Sequence, residues 1–486
     1  MSISTALNAA LSGLAASSRM ASTVANNVSN ANTEGYGVRT VVTGSIIAGG
    51  DGVGTRVVAI ERNSDPILTG NRRLADADLG RASAAADFFA RLEQLLGTPE
   101  DGGSLAGRLD QFESSLVTAA NSPESDAALN GVVFAADAVA DRLNTVADGI
   151  QIARQEADAE INTAVTLINN TLVELESLNE QLVRTRGFGG NGNALLDQQQ
   201  ILVDRIAEYI PVREYRDQSG RLRLFSTDGV KLLDGNPATL EFSRSSIITP
   251  EMTVGVQLGD LTIDGSTIPM SGGEPGLTGG RLRALFDVRD TYAVDAQTKL
   301  DAVARDLAER FEAPALDPTR APTDPGLFTD QGAITDPLNE LGLSQRLSVN
   351  ALVDPSRGGE VFRIRDGLGA AGPGQVGDAT LLQGMSDALS NGRVTVSGGF
   401  SAAERSMTVL GGELLSVFSG ERQFSETNQT FSAARQQGLL EAELEQGVNT
   451  DAELQRLILI EQIYQANARV IQVVNDMLEE LQRSIG

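Results

Sequence analysis

Residues 126–185 read DAALNGVVFAADAVADRLNTVADGIQIARQEADAEINTAVTLINNTLVELESLNEQLVRT, and the spacing of their apolar residues decides the fold class. Val139, Leu143, Val146, Ile150, Ala153 and Ala157 recur at intervals of three and four. After a slip in register, Ile161, Val165, Ile168, Leu172, Leu175 and Leu182 continue the row, with Asn179 completing the spacing. Such a periodicity lays one apolar stripe along a helix. At the α-helical rise this is a rod of roughly 90 Å, a length small globular enzymes seldom contain.

Asn121-Ser122-Pro123 breaks the chain before the rod, and Gly187-Phe188-Gly189-Gly190-Asn191-Gly192 ends it. Helices are expected at about 81–96 and 104–120 before the rod and from Ala194 to Tyr209 after it. Gly279-Gly280 opens another helix, with Leu282, Phe286, Ala296, Leu300, Val303, Leu307 and Phe311 on one face. Between them the period changes. Val212 to Tyr215, Leu222 to Ser226, Val230 to Leu233 and Val254 to Ile263 read as strands, with turns at Ser219-Gly220, Asp228-Gly229 and Asp264-Gly265. Val38 to Ile60, Gly-rich and β-branched, reads as a hairpin turning near Gly49–Gly54. Residues 312–337 are loop, and 347–400 are mixed and Gly-rich, with no assignable elements.

Both ends of the chain carry heptads. Ile3, Leu7, Ala10, Leu14, Ser17, Ala21, Val24, Val28 and Ala31 form a seam of small residues, with Arg19 the only charge on that helix. With few ion pairs and middling propensity, such a helix is unstable alone. At the other end Leu457, Ile460, Tyr464, Asn467, Ile471, Val474, Leu478 and Leu481 alternate by three and four, and Ile463, Val470 and Met477 widen the face. Thr450 with Glu453 reads as a capping box, and Asn467 as a register device within an apolar seam. The two ends either pair with each other or pack on different subunits.

Composition removes most chemistry. The chain has no Cys and no His, which excludes thiol nucleophiles, disulfides and His-based triads. A formal charge of −27 opposes phosphate backbones and anionic lipid, so neither nucleic acid nor membrane is an expected partner. No basic n-region opens the chain, and no apolar run approaches a bilayer span. Gly187, Gly189 and Gly192 match a dinucleotide fingerprint by letter, but they follow a long helix rather than a strand, so they read as a turn between helices. Acidic pairs such as Asp137–Asp141 and Glu479–Glu480 read as solvated helix faces. No catalytic residue, cofactor or metal site is expected. The cluster Asn26, Asn27, Asn30, Asn32, Thr33, Gly35 and Tyr36 stands apart: its amides either cap the helix end or meet a partner.

Ala25-Asn26-Asn27-Val28-Ser29-Asn30-Ala31-Asn32-Thr33-Glu34-Gly35-Tyr36, with Ser12-Gly13-Leu14 ahead of it, resembles the amino-terminal signature of the flagellar rod, hook and hook-associated proteins. Gly447-Val448-Asn449-Thr450-Asp451, Leu457-Ile458 and Tyr464-Gln465-Ala466-Asn467-Ala468-Arg469-Val470-Ile471 resemble that family's carboxy-terminal signature. Together these cover about 70 residues. The rod, Ala194-Leu195-Leu196-Asp197-Gln198-Gln199 and Gly279-Gly280-Arg281-Leu282 are similar to the helical domain of the hook–filament junction branch. Glu34 departs from the family, which commonly has Pro there.

The expected architecture is mainly α with a β-rich insertion. Residues 1–36 with 447–486 form a coiled-coil stalk, and 37–210 with 279–312 and 401–446 a helical-bundle rod domain. Residues 211–278 form a small antiparallel β domain, and 313–400 a loop-rich segment. The resemblance implies a structural protein, exported through the flagellar type III channel without a cleaved signal and located outside the cell at the hook–filament junction. It implies self-assembly into a ring-like layer, with hook protein below, a second hook-associated protein above and a cytosolic export chaperone before secretion. Terminal helices would line the inner wall and the β insertion would face outward. The assembly residues would be Leu7, Leu14, Val24, Asn26, Asn27, Asn30, Asn32, Gly35 and Tyr36 at one end. At the other they would be Leu457, Ile460, Tyr464, Asn467, Ile471, Val474 and Leu478. A hook or distal rod protein is the alternative. A secreted carboxylate-dependent hydrolase, which needs one carboxyl of raised pKa beside an ionised one, is the remote one.

Overall fold

The structure, a computed structural model, describes residues 3–48, 51–98, 100–270 and 276–485. It is 61% helical with small antiparallel sheets, which is the mainly α class with β insertions. The chain divides into two compact units. The first comprises Met1–Leu79, Leu167–Thr239 and Ser432–Gly486, and the second Gly80–Thr166 and Leu240–Phe431.

Helix α1 (Ile3–Ser29) leads into a hairpin of β1 (Arg39–Ala48) and β2 (Asp51–Arg62). The strands pair from Arg39↔Arg62 to Ala48↔Asp51, with bulges after Val42 and Ile46. The expected turn residues Gly49 and Gly50 lie outside the described residues. Helix α2 (Pro66–Leu96) starts about fifteen residues earlier than periodicity suggested. Asp65 caps it, its Oδ1 accepting from the Ile67 and Leu68 amides at 2.9 and 3.1 Å. Its first turns carry Arg72, Arg73 and Asp76, which are held by ion pairs rather than by an apolar stripe, so no stripe announced them.

Helices α3 (Leu105–Asn121), α4 (Asp126–Gly187) and α5 (Asn193–Tyr209) follow. Every apolar residue of the two α4 rows is buried. Strands β3 (Val212–Arg216), β4 (Leu222–Ser226), β5 (Lys231–Asp234) and β6 (Asn236–Pro237) form one sheet in that order, within the first unit. Strands β7 (Leu240–Glu241), β8 (Leu261–Ile263) and β9 (Ser266–Ile268) form another, within the second unit. The strands expected over 211–278 are therefore two sheets with separate partners, because alternation reports a strand and not its neighbour. Val254 to Ile263 is a strand only over its last three residues. Gly255, at φ +76°, folds 253–258 into a turn in which the Leu258 amide donates to Thr253 O at 3.1 Å.

In the second unit, α6 (Gly280–Asp287) and α7 (Ala293–Phe311) are joined by a π turn, Val288–Tyr292. The turn carries Arg289, fully buried, whose Nη1 reaches Asp158 at 2.7 Å. Phe112, Phe311 and Phe328 pack with centroids 5.8, 5.7 and 5.4 Å apart, each ring contributing about 1.5–3 kcal/mol by burial. The segment 313–400, expected to be loop-rich, forms short helices and ladders, one strand of which lies inside the expected loop 312–337. These are α8 (Leu343–Arg346), β10 (Phe328–Asp330) with β11 (Leu347–Val349), α9 (Phe362–Asp366) and α10 (Thr380–Ser390), with α10 packed on α3. Helices α11 (Met407–Glu445) and α12 (Thr450–Ile485) complete the chain.

The capping box at Thr450 does not form. Asn449 is the cap, its Oδ1 accepting from the Ala452 amide at 3.0 Å, and Glu453 turns inward instead.

Candidate functional site

Within the first unit α1 and α12 pack antiparallel, so that Gly13 meets Asn467 while Asn27 meets Glu453. The termini pair with each other. A Cβ on Gly13 would lie 2.8 Å from the Asn467 side-chain oxygen and nitrogen, so the Asn467 side chain fits there because Gly13 has none. The Asn467 amide donates to Ile463 O of its own helix at 3.0 Å. The seam hydroxyls are satisfied the same way, Ser17 donating to Gly13 O at 2.9 Å and Thr23 to Arg19 O at 3.0 Å.

The two heptad rows of α12 separate. Ile460 and Val474 are buried and Asn467 is half-buried, seven residues apart and one turn pattern below Glu453. Leu457, Tyr464 and Leu478 are exposed, and Ile471 is half-buried. Leu454, Ile458, Leu459, Ile463, Val470, Val473 and Met477 are exposed beside them. On α1, Val24 is buried and Leu7 and Leu14 are half-buried. An apolar face of this extent on one helix marks an interaction surface.

The Asn cluster divides as well. Asn26 and Asn32 are exposed. Asn30 is half-buried and its Nδ2 donates to Asn26 O at 2.9 Å, closing the helix end. Asn27 has no exposed surface, and all four of its hydrogen-bonding positions are filled. Its Nδ2 donates to Arg39 O at 2.9 Å and to Glu453 Oε2 at 3.1 Å. Its Oδ1 accepts from the Arg39 amide at 3.1 Å and the Tyr36 hydroxyl at 2.9 Å. One side chain thus ties the end of α1 to the start of β1 and to α12. Burial, reinforced by Asp197 and Glu453 and opposed by Arg39, holds the Tyr36 phenol above its ordinary pKa, so it remains a donor. Gly35 stands at φ +73° against the Ile201 side chain, and the turn closes with the Tyr36 amide on Thr33 O at 3.2 Å, without the proline.

Several residues around this node escaped the sequence. Asp197 on α5 accepts from the Gly37 amide at 3.1 Å, Arg39 Nη2 at 2.9 Å and Arg62 Nε at 2.6 Å. It clasps the two strands at the open end of the hairpin, where Arg39 and Arg62 are cross-strand partners. Gln200 accepts from Arg62 and donates to Glu443 at 3.2 Å, and Glu443 pairs with Arg72. Arg72 also holds Asp76 at 2.6 Å and Asp204 at 2.7 Å. Burial opposes its charge, yet Asp204, Glu443 and Asp76 together keep its pKa above the ordinary value. Arg73 continues to Asp204 at 2.6 Å and Glu214 at 2.8 Å. Burial alone would raise the Glu214 carboxyl, but Arg216 and Arg73 hold it below its ordinary pKa. The only sequence signal was Asp197's place in the quoted Ala194–Gln199 stretch; the other partners are far apart in the chain and follow no period.

Among the described residues no cluster of carboxylates could hold a metal, and no helix is long and apolar enough to cross a membrane. The site is a packing and hydrogen-bonding surface.

Three family patterns match this chain. "Flagella basal body rod protein" matches residues 7–36, and "Flagellar basal body rod FlgEFG protein C-terminal" matches 436–484. These are the two segments that meet at Asn27 and Glu453. Between them, "Flagellar hook-associated protein FlgK helical domain" matches residues 89–314. Flagellar hook-associated protein 1 of Bacillus subtilis is 25% identical over 99% of this chain and 98% of its own length. Along nearly its whole length the chain is similar to flagellar hook-associated protein 1, and over 89–314 to the helical domain of that protein. Flagellar hook-associated protein 1 of Escherichia coli is 26% identical over 64% of this chain, which covers 56% of that relative. A solved structure of the flagellar hook junction protein FlgK from Burkholderia pseudomallei aligns with 54% of this chain and 46% of its own, at 22% identity and a TM-score of 0.45. The hook-associated family is one of structural flagellar proteins, whose members assemble with other axial proteins.

Proposed function

We propose that this chain is a structural subunit that joins hook to filament in the bacterial flagellum, outside the cell, and carries no catalytic role. The observation that carries the reading is the paired terminal helices. Their inner row is satisfied within the chain, and the outer row of α12, with Leu457, Tyr464 and Leu478, is left for neighbours. Burial of that row on assembly supplies ordering energy that the pair lacks alone. The subunits form a ring-like layer, with hook protein on one side and a second hook-associated protein on the other.

Export through the flagellar type III channel, with a chaperone covering α12 beforehand, fits the same exposed row. The hook or distal rod reading is supported by the terminal patterns, which carry basal body rod names. It is weighed down by the helical-domain match over 89–314. Electron microscopy of cells lacking this gene, with flagellin assayed in the medium, tests the proposal. Bare hooks with shed flagellin support it, absent hooks move the protein to hook or rod, and normal flagella refute it.

A further inference from the structure

An asparagine followed by glycine is the pair most prone to close on itself, because glycine has no Cβ to obstruct the approach of its nitrogen to the asparagine side-chain carbonyl. The sequence holds three such pairs, Asn130-Gly131, Asn191-Gly192 and Asn391-Gly392. The fold treats them differently.

Asn130 and Gly131 lie within the long helix α4, where the Gly131 amide is spent on the preceding turn. The Asn130 Nδ2 donates to Asp126 O at 2.8 Å. Asn391 follows α10, its amide donating to Asp387 O and its carbonyl accepting from Arg310 Nη1, both at 2.8 Å. Gly392 leads straight into the strand pair of Arg393 with Arg405, and a Cβ on it would stand 3.0 Å from that of Glu404. Neither backbone can turn without breaking these bonds.

Asn191 stands exposed in the turn between α4 and α5. Its Oδ1 accepts from the Asn193 amide at 3.3 Å. That bond closes a ring containing both the Asn191 side-chain carbonyl carbon and the Gly192 nitrogen, the two atoms that must meet. Among the described residues nothing accepts from the Gly192 amide. Glycine is required there: it stands at φ +66°, and a Cβ on it would lie 2.4 Å from Leu182 Cδ1.

We propose that Asn191 modifies itself, losing its side-chain amide through a cyclic imide and leaving aspartate or isoaspartate at 191. The Gly192 nitrogen attacks Cγ and gives up its proton. The new N–Cγ bond closes a five-membered ring, and the Cγ–Nδ2 bond breaks as ammonia departs with that proton. Water then opens the imide at either carbonyl. Opening at Cγ restores the normal chain with Asp; opening at the Asn191 main-chain carbonyl routes the chain through Cγ and adds a methylene. Water is the only reagent consumed. During the attack charge develops on Oδ1, to which the Asn193 amide already donates and where the first turn of the 17-residue α5 favours a negative charge. The added methylene falls immediately ahead of Asn193, whose Nδ2 ties α5 to Ile60 O of β2 at 2.8 Å.

The test is incubation of the purified full chain at mildly alkaline pH, folded and in urea, followed by digestion and mass spectrometry with Asp and isoAsp peptides separated by chromatography. In the folded chain the peptide carrying residue 191 is expected to gain one dalton, in both isomers, at least about tenfold faster than those carrying 130 and 391, which react only through local opening. In urea the three sites should react at comparable rates, which shows that the fold makes the choice. An Asn191→Gln chain, whose longer side chain would have to close a six-membered ring, is expected to fold by circular dichroism and to release ammonia at least about tenfold more slowly. Ammonia release from that variant at the parent rate overturns the proposal. So does a folded chain in which residue 191 reacts no faster than 130 and 391.

Discussion

Asn27→Ala tests the node at the base of the terminal pair. The wild-type amide has no exposed surface and makes four hydrogen bonds of 2.9–3.1 Å to the Arg39 backbone, Tyr36 and Glu453. Each is worth about 1 kcal/mol net, and a buried partner left bare costs about 1–3 kcal/mol. Arg39 and Tyr36 are only half-buried, so water replaces part of what is lost. The expected destabilisation is about 2–4 kcal/mol. In a unit of roughly 200 residues this lowers the melting temperature by about 5–15 °C. Asn27→Asp should be worse at neutral pH, because it keeps the acceptors, loses both donors and sets a carboxylate against Glu453. That excess loss should shrink as pH falls and the introduced carboxyl takes up a proton. Thermal unfolding of the full chain, followed by circular dichroism, measures the shift. A transition for Asn27→Ala within a degree or two of the parent would refute the claim that this amide ties the terminal pair to the hairpin.

Asp197→Asn should cost about 2–4 kcal/mol in the same transition, because Arg39 and Arg62 lose the carboxylate that clasps them; urea unfolding with an unchanged midpoint would contradict it. Asp301→Asn concerns the second unit. Burial lifts the Asp301 carboxyl above its ordinary pKa, against hydrogen bonds from Ser344, Gly342 and Gln297 that lower it. With the folded value raised, the stability it contributes is present at low pH and lost as pH rises through that value. The wild-type advantage over Asp301→Asn should therefore decline with rising pH across the acid range, and a flat difference in urea titrations would count against it. Leu457→Asp or Ile471→Asp should abolish incorporation into flagella while leaving the spectra of both units unchanged; incorporation at normal levels would sink the role given to that row.

Periodicity made the long helices legible, since α4 buries a stripe that recurs every third and fourth residue along its whole length. It also exposed the terminal heptads, but it could not tell the inner row from the outer one. Ile460 and Leu457 look equivalent by spacing, yet one is buried and the other exposed, because only the partner's geometry distinguishes them. Glu453 has the spacing of a local cap, yet its partner, Asn27, lies 426 residues away. The start of α2 was missed for a related reason. Arg72 and Arg73 are buried by ion pairs with α5, α11 and β3, and a charge satisfied at long range looks in sequence like a charge in water.

The polar nodes share a device that separates internal from external surfaces. Asn27 on α1 grips the amide and carbonyl of Arg39 on β1, and Asn179 on α4 grips those of Leu222 on β4, at 2.8 and 3.0 Å. In both, a buried helix amide closes a two-bond bridge onto a strand backbone, which fixes register because a slip of one residue breaks both bonds. Apolar rows fix register less strictly, since a shifted leucine still buries area. The joints inside the first unit are thus built from bonds that admit one arrangement. The outer face of α12 is built from Leu, Ile, Val and Met, which tolerate small displacements between neighbours. A subunit proposed to join two different polymers is served by that division: an interior that holds its form, and an outer apolar face that can shift against a neighbour without losing its buried area.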